Sequence, residues 1–272
     1  MRMRQSGLRA SLRRIFAMVT RYGYLMLASW PRLLELAYWP TIQMILWGLM
    51  NRYLQEQMSG QFVVAGGLIS AALLWDILYR AQLGVSLVFF EELYSRNLAN
   101  LFVSPLRPYE FAISLLTISL LRTLFGVGIA SLLALILYNF SIFKLGLPLV
   151  ALFTNLLIMG WSIGLMIVAM VLRFGLGTEG LAWAVIFAFA PLSGIYYPLS
   201  VLPEYAREIA WLLPSSHVFE AMRTLMNTGE LSYQEFETAA TLNLFYILSG
   251  LWILFASFRQ ARREGLILHS GE

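Results

Sequence analysis

Apolar runs recur along the chain at the length a helix needs to cross a bilayer, about 20 residues. Six segments qualify, at roughly 33–54, 62–90, 111–140, 146–173, 180–201 and 240–258. The second and third exceed one crossing, so they are expected to tilt or to project beyond the membrane. Open sheet edges cannot be satisfied in lipid, so the pattern predicts an all-α membrane protein with six transmembrane helices. Residues 1–32 read as an arm with an interfacial helix, 33–258 as the membrane domain and 259–272 as a tail.

Shorter periodic stretches lie between and before the spans. Leu8, Leu12, Ile15, Phe16 and Val19 fall on one helical stripe, with arginines over much of the remainder. That pattern suits an amphipathic helix at an anionic interface; a basic arm that only sets topology is the plainer reading. After the second span, Tyr94, Leu98, Leu101 and Phe102 form another stripe within 91–106, closed by Pro105 and Pro108. It reads either as a helix suited to docking a partner or as an ordinary interfacial loop helix. After the fifth span, Pro191, Pro198, Pro203 and Pro214 interrupt the chain. Tyr205, Ile209, Leu212 and Leu213 mark one short helix there, and Val218, Met222, Leu225 and Met226 a second. Ser215 or Ser216 is expected to cap the second helix and Gly229 to end it. Neither is long enough to span, so 202–228 reads as a re-entrant hairpin at the outer face, bordering protein or a water-filled route.

Composition agrees with a lipid-facing surface. Of 272 residues, 59% are hydrophobic and 12% charged, against about 25% charged in soluble domains. The net charge of +4 is spread over membrane flanks and does not gather into one basic face, which argues against nucleic acid. Arg2, Arg4, Arg9, Arg13, Arg14, Arg21, Arg259, Arg262 and Arg263 gather at the two ends of the chain. Arg52, Lys144, Arg207 and Arg223 are all that the opposite loops offer. The positive-inside rule therefore predicts both termini in the cytoplasm. The N-terminal stretch lacks the short apolar core and cleavage site of a signal peptide.

Ionisable residues inside the spans are few: Asp76 and Arg80, one turn apart, and Arg122. Charges at that depth face a bundle interior or cavity and pair. Arg122 is expected to share Asp76 or to reach towards Glu91 and Glu92. A clamp between spans two and three and a direct substrate contact are the two readings of this cluster.

Several chemistries are excluded. The chain has no cysteine, and His217 and His269 are too scattered for a metal site. The single lysine, Lys144, stands outside any phosphate-binding Gly-x4-Gly-Lys-Ser/Thr motif, so ATP cannot be held that way. No Gly-x-Ser-x-Gly frames either histidine, and Asp76 is the only aspartate, which rules out an intramembrane Asp pair.

Two segments carry a family resemblance. One is Tyr94-Ser95-Arg96-Asn97-Leu98-Ala99-Asn100-Leu101-Phe102-Val103-Ser104-Pro105-Leu106. The other runs from Pro191 through Tyr196-Tyr197-Pro198 to Pro203, then Leu213-Pro214 and Glu220-Ala221-Met222-Arg223. Over about residues 10–260 the chain resembles the permeases of type-2 ABC exporters, which move polysaccharides, nodulation factors, drugs and lipids. The resemblance implies a permease of a bacterial inner membrane, acting as a homodimer with two copies of a separate ATPase that binds ATP and Mg. It gives Glu91, Glu92, Tyr94, Arg96, Asn97, Leu98, Leu101 and Phe102 to the contact with that ATPase, the N-terminal helix to a gate, and spans one, two and five to the route. It gives Tyr196, Tyr197, Pro198, Pro203, Pro214, Glu220 and Arg223 to the exit region. The segment is lightly charged for the family, with Arg96 its only basic residue before Pro105. An ion-coupled secondary transporter is the alternative, but no inverted repeat is evident and the broken helices fall at the outer face. A membrane assembly protein without transport activity is the third reading. Aromatic content leaves lipid, glycan and drug open as cargo.

Overall fold

The first helix packs with a face that its apolar stripe marks only in part, and this bears on how the whole chain is tied together. The computed structural model describes residues 7–57 and 66–264. Among them lie ten α-helices and no strand. They are α1 (Leu8–Leu27), α2 (Trp30–Gln57), α3 (Gly67–Tyr94), α4 (Leu98–Val103), α5 (Pro108–Tyr138), α6 (Pro148–Phe174), α7 (Leu181–Leu192), α8 (Glu204–Ala210), α9 (Pro214–Thr228) and α10 (Tyr233–Glu264).

Cross-contacts order the bundle. At one end Arg32 of α2 meets Glu91 of α3, Tyr94 donates to Glu179 just before α7, and Phe111 of α5 lies 6.0 Å from Phe258 of α10. At the other end Tyr138 of α5 donates to Ile45 O of α2, and Trp47 stacks on Tyr196 beyond α7. Successive long helices therefore run in alternating directions. The first we call the turn end, after the α3–α5 turn, and the second the hairpin end, after α8 and α9.

Four helices, α3, α5, α6 and α10, are long and apolar enough to cross a membrane. The expected first span falls within α2, a 28-residue helix that is long enough but too polar to meet the same criterion. The expected fifth span, 180–201, stops at Leu192 after 12 helical residues, a rise of about 18 Å. Pro191 inside its last turn removes a backbone donor. The remainder of that stretch is a turn and a 3-10 segment, Leu199–Val201.

Helices α3 and α6 form the centre, and α5 and α10 flank them with wide exposed faces. Central packing depends on missing side chains. Gly160 and Gly164 stand one turn apart on α6; a Cβ on Gly160 would come 2.7 Å from Leu78 O of α3, and one on Gly164 would come 2.9 Å from Gln82 O. This is the small-xxx-small arrangement that lets membrane helices approach backbone to backbone. Gly84 of α3 opposes Ser119 of α5 in the same manner. Ser119 donates to Ala81 O (2.8 Å) and accepts from Trp161 Nε1 (3.1 Å), joining α3, α5 and α6. Asn243 of α10 donates to Asn155 Oδ1 of α6 at 2.8 Å, a buried polar link of the kind that holds helices together in lipid.

Candidate functional site

The turn end is built on two buried glutamates. Glu92, near the end of α3, is almost fully buried and pairs with Arg21 of α1 at 2.6 Å. Its other oxygen accepts from Asn97 Nδ2 at 2.6 Å, so one carboxylate ties α1, α3 and the turn together. Glu110, in the first turn of α5, accepts from Arg14 Nε at 2.8 Å, Ser11 Oγ at 2.7 Å and the Arg107 backbone at 2.9 Å. The hydrogen bond that Arg14 donates to the Glu110 carboxylate raises the Arg14 pKa above its ordinary value. These bonds explain α1. Its buried face is Ser11, Met18 and Tyr22, whereas Leu8, Leu12 and Phe16 of the apolar stripe point outward, with Leu8 80% exposed. Arg14 and Arg21 anchor the helix; of the stripe, Ile15 and Val19 are half-buried, with Val19 packed against the core, and the other three positions face the surroundings.

The segment 91–106 is not one helix. Glu91 through Tyr94 complete α3, the chain reverses at Arg96 in a left-handed conformation (φ 52°), and α4 has only six residues. Leu98 is buried in the chain's own core at 2% exposure and Leu101 packs against it. These two apolar positions hold α4 down and do not form an outward docking stripe. Phe102 lies in α4, but its side chain is outside the described residues. What faces outward is Tyr94, Ser95, Arg96, Asn100, Pro105 and Val103, the last 89% exposed. Asn97 is half-buried, held by its bond to Glu92.

Further into the bundle, Arg80 donates to Asp76 at 2.6 Å, within one helix as the spacing predicts. Arg122 of α5 reaches Glu91 at 3.5 Å, the second of its two expected destinations, and Arg32 meets the same carboxylate at 3.6 Å. Among the described residues no group of three His, Asp or Glu is placed to hold a metal ion.

At the hairpin end the expected exit residues come together. Arg223 of α9 donates to Gly194 O at 2.6 Å and pairs with Glu220 at 3.1 Å, while Glu220 accepts from the Leu199 backbone at 2.9 Å. Gly194 has φ +63°, and a Cβ there would come 3.0 Å from the Arg223 guanidinium. Tyr196 stacks on Trp47 with centroids 4.0 Å apart, and Tyr197 donates to Pro191 O at 2.6 Å. Pro198 precedes the 3-10 segment, Pro203 precedes α8, and Pro214 opens α9. Val218, Met222 and Leu225 are buried, as their spacing predicts, and Gly229 ends α9 in a left-handed cap. Neither serine caps α9: Ser215 bonds Ser193 Oγ at 2.7 Å and Ser216 donates to Leu192 O at 3.1 Å, tying α9 to the end of α7. Of the stripe expected at α8, only Leu213, just beyond the helix, is buried; Tyr205, Ile209 and Leu212 are exposed. We expect Arg223→Ala to cost about 2 kcal/mol through its lost charged hydrogen bonds and to free the 194–203 loop. Faster labelling of a cysteine placed at Ser200 measures this.

The profile of the ABC-2 type transporter family matches residues 15–227, from within α1 to the penultimate residue of α9. The chain belongs to the ABC-2 type transporter family. It is the membrane permease of such a transporter, a multi-pass transport subunit and not a catalytic one. No curated relative matches the chain. The match to this ABC-2 permease takes in the α3–α5 turn, the mid-bundle charges and the α8–α9 hairpin together. Sequence reasoning missed Glu110 and read Arg14 and Arg21 as topology signals and as the polar face of an interfacial helix, not as partners of buried carboxylates. The Pro at the start of α5 followed by Glu two residues later was the available sign of a capped, charge-bearing helix start. It also passed over Gly160 and Gly164, whose four-residue spacing in an apolar run marks a packing face of the permease.

Proposed function

We propose that this ABC-2 permease is the membrane subunit of an exporter, working as two copies with two copies of a separate ATPase that carries ATP and Mg. Its chain crosses a bacterial inner membrane six times with both ends in the cytoplasm, α2 and the α7–α9 stretch supplying the two crossings that composition alone leaves open. Alternation of the six passes and the gathering of arginines at the turn end support that orientation. The cargo is amphiphilic, and the route runs between two copies along α2, α3 and α7.

One observation carries the coupling role: the outward rim of the α3–α5 turn is exposed and apolar-polar mixed, yet it stands on the buried Glu92 carboxylate. A knob that is rigid beneath and exposed above transmits a push. ATP-driven closure of the ATPases would displace the rim, and the Glu92 junction would carry the motion into α3 and α1 together. The broken hairpin at the far end would open the exit. Purification of the tagged chain from its native membranes tests this. A nucleotide-binding subunit should copurify, and Tyr94→Glu with Val103→Glu should abolish that without lowering the permease level in the membrane. Retention of the subunit by this variant would contradict the docking face.

A further inference from the structure

A groove of about 300 Å³ lies at the turn end, between the start of α5 and the end of α10. Pro108 and Tyr109 wall it on one side, Phe255 and Phe258 on the other. A smaller hollow of about 20 Å³ adjoins it, sharing Pro108 and Phe258 and bordered by Arg107. Along α10 the groove continues into an exposed apolar stripe, in which Trp252, Leu248 and Phe245 follow Phe255 at helical steps of three and four. On a helix long and apolar enough to cross a membrane, such a stripe meets lipid chains.

Two guanidinium groups stand at this opening. Arg259 lines the groove, and its Nε donates to Phe255 O, one turn back on its own helix. Arg107 lies over the Tyr109 ring and donates to the Tyr109 hydroxyl at 3.1 Å. Neither guanidinium lies within ion-pair distance of a carboxylate among the described residues. Glu110, close by in the chain, is taken by Arg14, Ser11 and the Arg107 backbone. Glu264 stands on α10 roughly 140° round the helix from Arg259. Arg262 also borders the groove but is already engaged with another group. Guanidinium forks match phosphate oxygens in geometry and charge. A choline headgroup brings a cation of its own towards them, and an acidic headgroup does not.

We propose that this groove seats an anionic phospholipid of the surrounding bilayer, as a standing part of the permease surface and not as cargo. Arg107 and Arg259 hold its phosphate oxygens, Tyr109 and Phe255 flank its glycerol backbone, and one acyl chain lies along Trp252, Leu248 and Phe245. Basic pockets between helices at a membrane face take acidic headgroups in this way. The seat lies away from the route proposed along α2, α3 and α7, and the lipid joins the start of α5 to the end of α10. Only the membrane location is required for this, and no contact with an ATPase.

Native mass spectrometry of the full-length permease in detergent, titrated with phosphatidylglycerol or phosphatidylcholine of identical acyl chains, tests this. One phosphatidylglycerol per chain should be held about tenfold or more tighter than phosphatidylcholine. Each arginine contributes about fivefold. Arg107→Gln and Arg259→Gln should each lower the preference by that factor, and the double variant should remove it. Both side chains are exposed, so the variants should elute as the unaltered protein does on size-exclusion chromatography. Arg13→Gln, which removes an exposed arginine of α1 at the same end, should leave the preference unchanged. An equal loss from Arg13→Gln would mean attraction to a basic surface at large and would overturn the site. Inorganic phosphate in hundredfold excess should not displace the lipid, and displacement would overturn the seat for its chain. Removing residues 265–272 should leave retention unchanged, whereas a severalfold rise would make that segment the occupant in place of lipid. Equal retention of the two lipids by the unaltered chain would overturn the proposal outright.

Discussion

Replacing Gly160 by leucine should remove almost all folded permease from the membrane. A Cβ at this position comes 2.6 Å from Ala81 Cβ and 2.7 Å from Leu78 O, and the latter is backbone that no rotamer change can move. Helices α3 and α6 would have to separate along the face where both are most buried. Overpacking costs about 1–3 kcal/mol where side chains can give way, and a backbone contact at the centre of the bundle should exceed about 3 kcal/mol. Gly164→Ile should act in the same direction, since its Cβ would meet Val85 and Gln82 O. Gly128, with nothing near its missing side chain, is the control: Gly128→Ala should leave the folded amount unchanged. Detergent-extracted monodisperse protein, measured by size-exclusion chromatography, reads all three.

Glu92→Ala should have the second-largest effect, on coupling and not on insertion. It removes the one acceptor shared by Arg21 and Asn97. Glu92 is buried but Arg21 is 38% exposed, so the guanidinium left behind stays solvated and the cost is that of the lost charged hydrogen bonds, about 1.5–3 kcal/mol. Here the cost is local: α1 comes away from α3, and the turn around Arg96 loses its brace. Substrate-stimulated ATP hydrolysis by the assembled transporter should fall tenfold or more, and protease cleavage between α1 and α2 should accelerate. The exposed Arg52–Glu56 pair, one helical turn apart near the end of α2, offers a contrast. Surface pairs of that kind add little, so Arg52→Ala should change neither readout.

Residue periodicity alone made most of the architecture legible, because long apolar runs have one solution in lipid. The all-helical class, the α9 face of Val218, Met222 and Leu225, and the Asp76–Arg80 pair all followed from spacing. The departures have physical causes. An apolar stripe says that a helix has two faces but not which one meets the protein: α1 is held through Arg14 and Arg21, so Leu8, Leu12 and Phe16 of its stripe point away while Val19 packs inward. In α4 the reverse holds, and Leu98 and Leu101 serve the core because a six-residue helix needs them there to stay folded. The expected fifth span ran on past Leu192 because Ile195, Tyr196 and Tyr197 are apolar enough to continue it. Pro191, Ser193 and Gly194 break it instead, and contacts from α9 hold the break, Arg223 to Gly194 O, 29 residues away, and Ser215 to Ser193. Long-range partners of buried charges are what a single sequence hides.

The claim that the α3–α5 rim meets a separate motor is tested most directly by cross-linking. The chain has no cysteine of its own, so Val103→Cys introduces a single reactive group at a point of the turn that is 89% exposed. With the permease in its native membrane, a short thiol-to-amine reagent should join this position to a nucleotide-binding subunit, and ATP should change the yield. A cysteine placed at Leu147, equally exposed at the hairpin end, should give no such product. Cross-linking from Leu147, or from neither position while the ATPase still copurifies, would contradict the account.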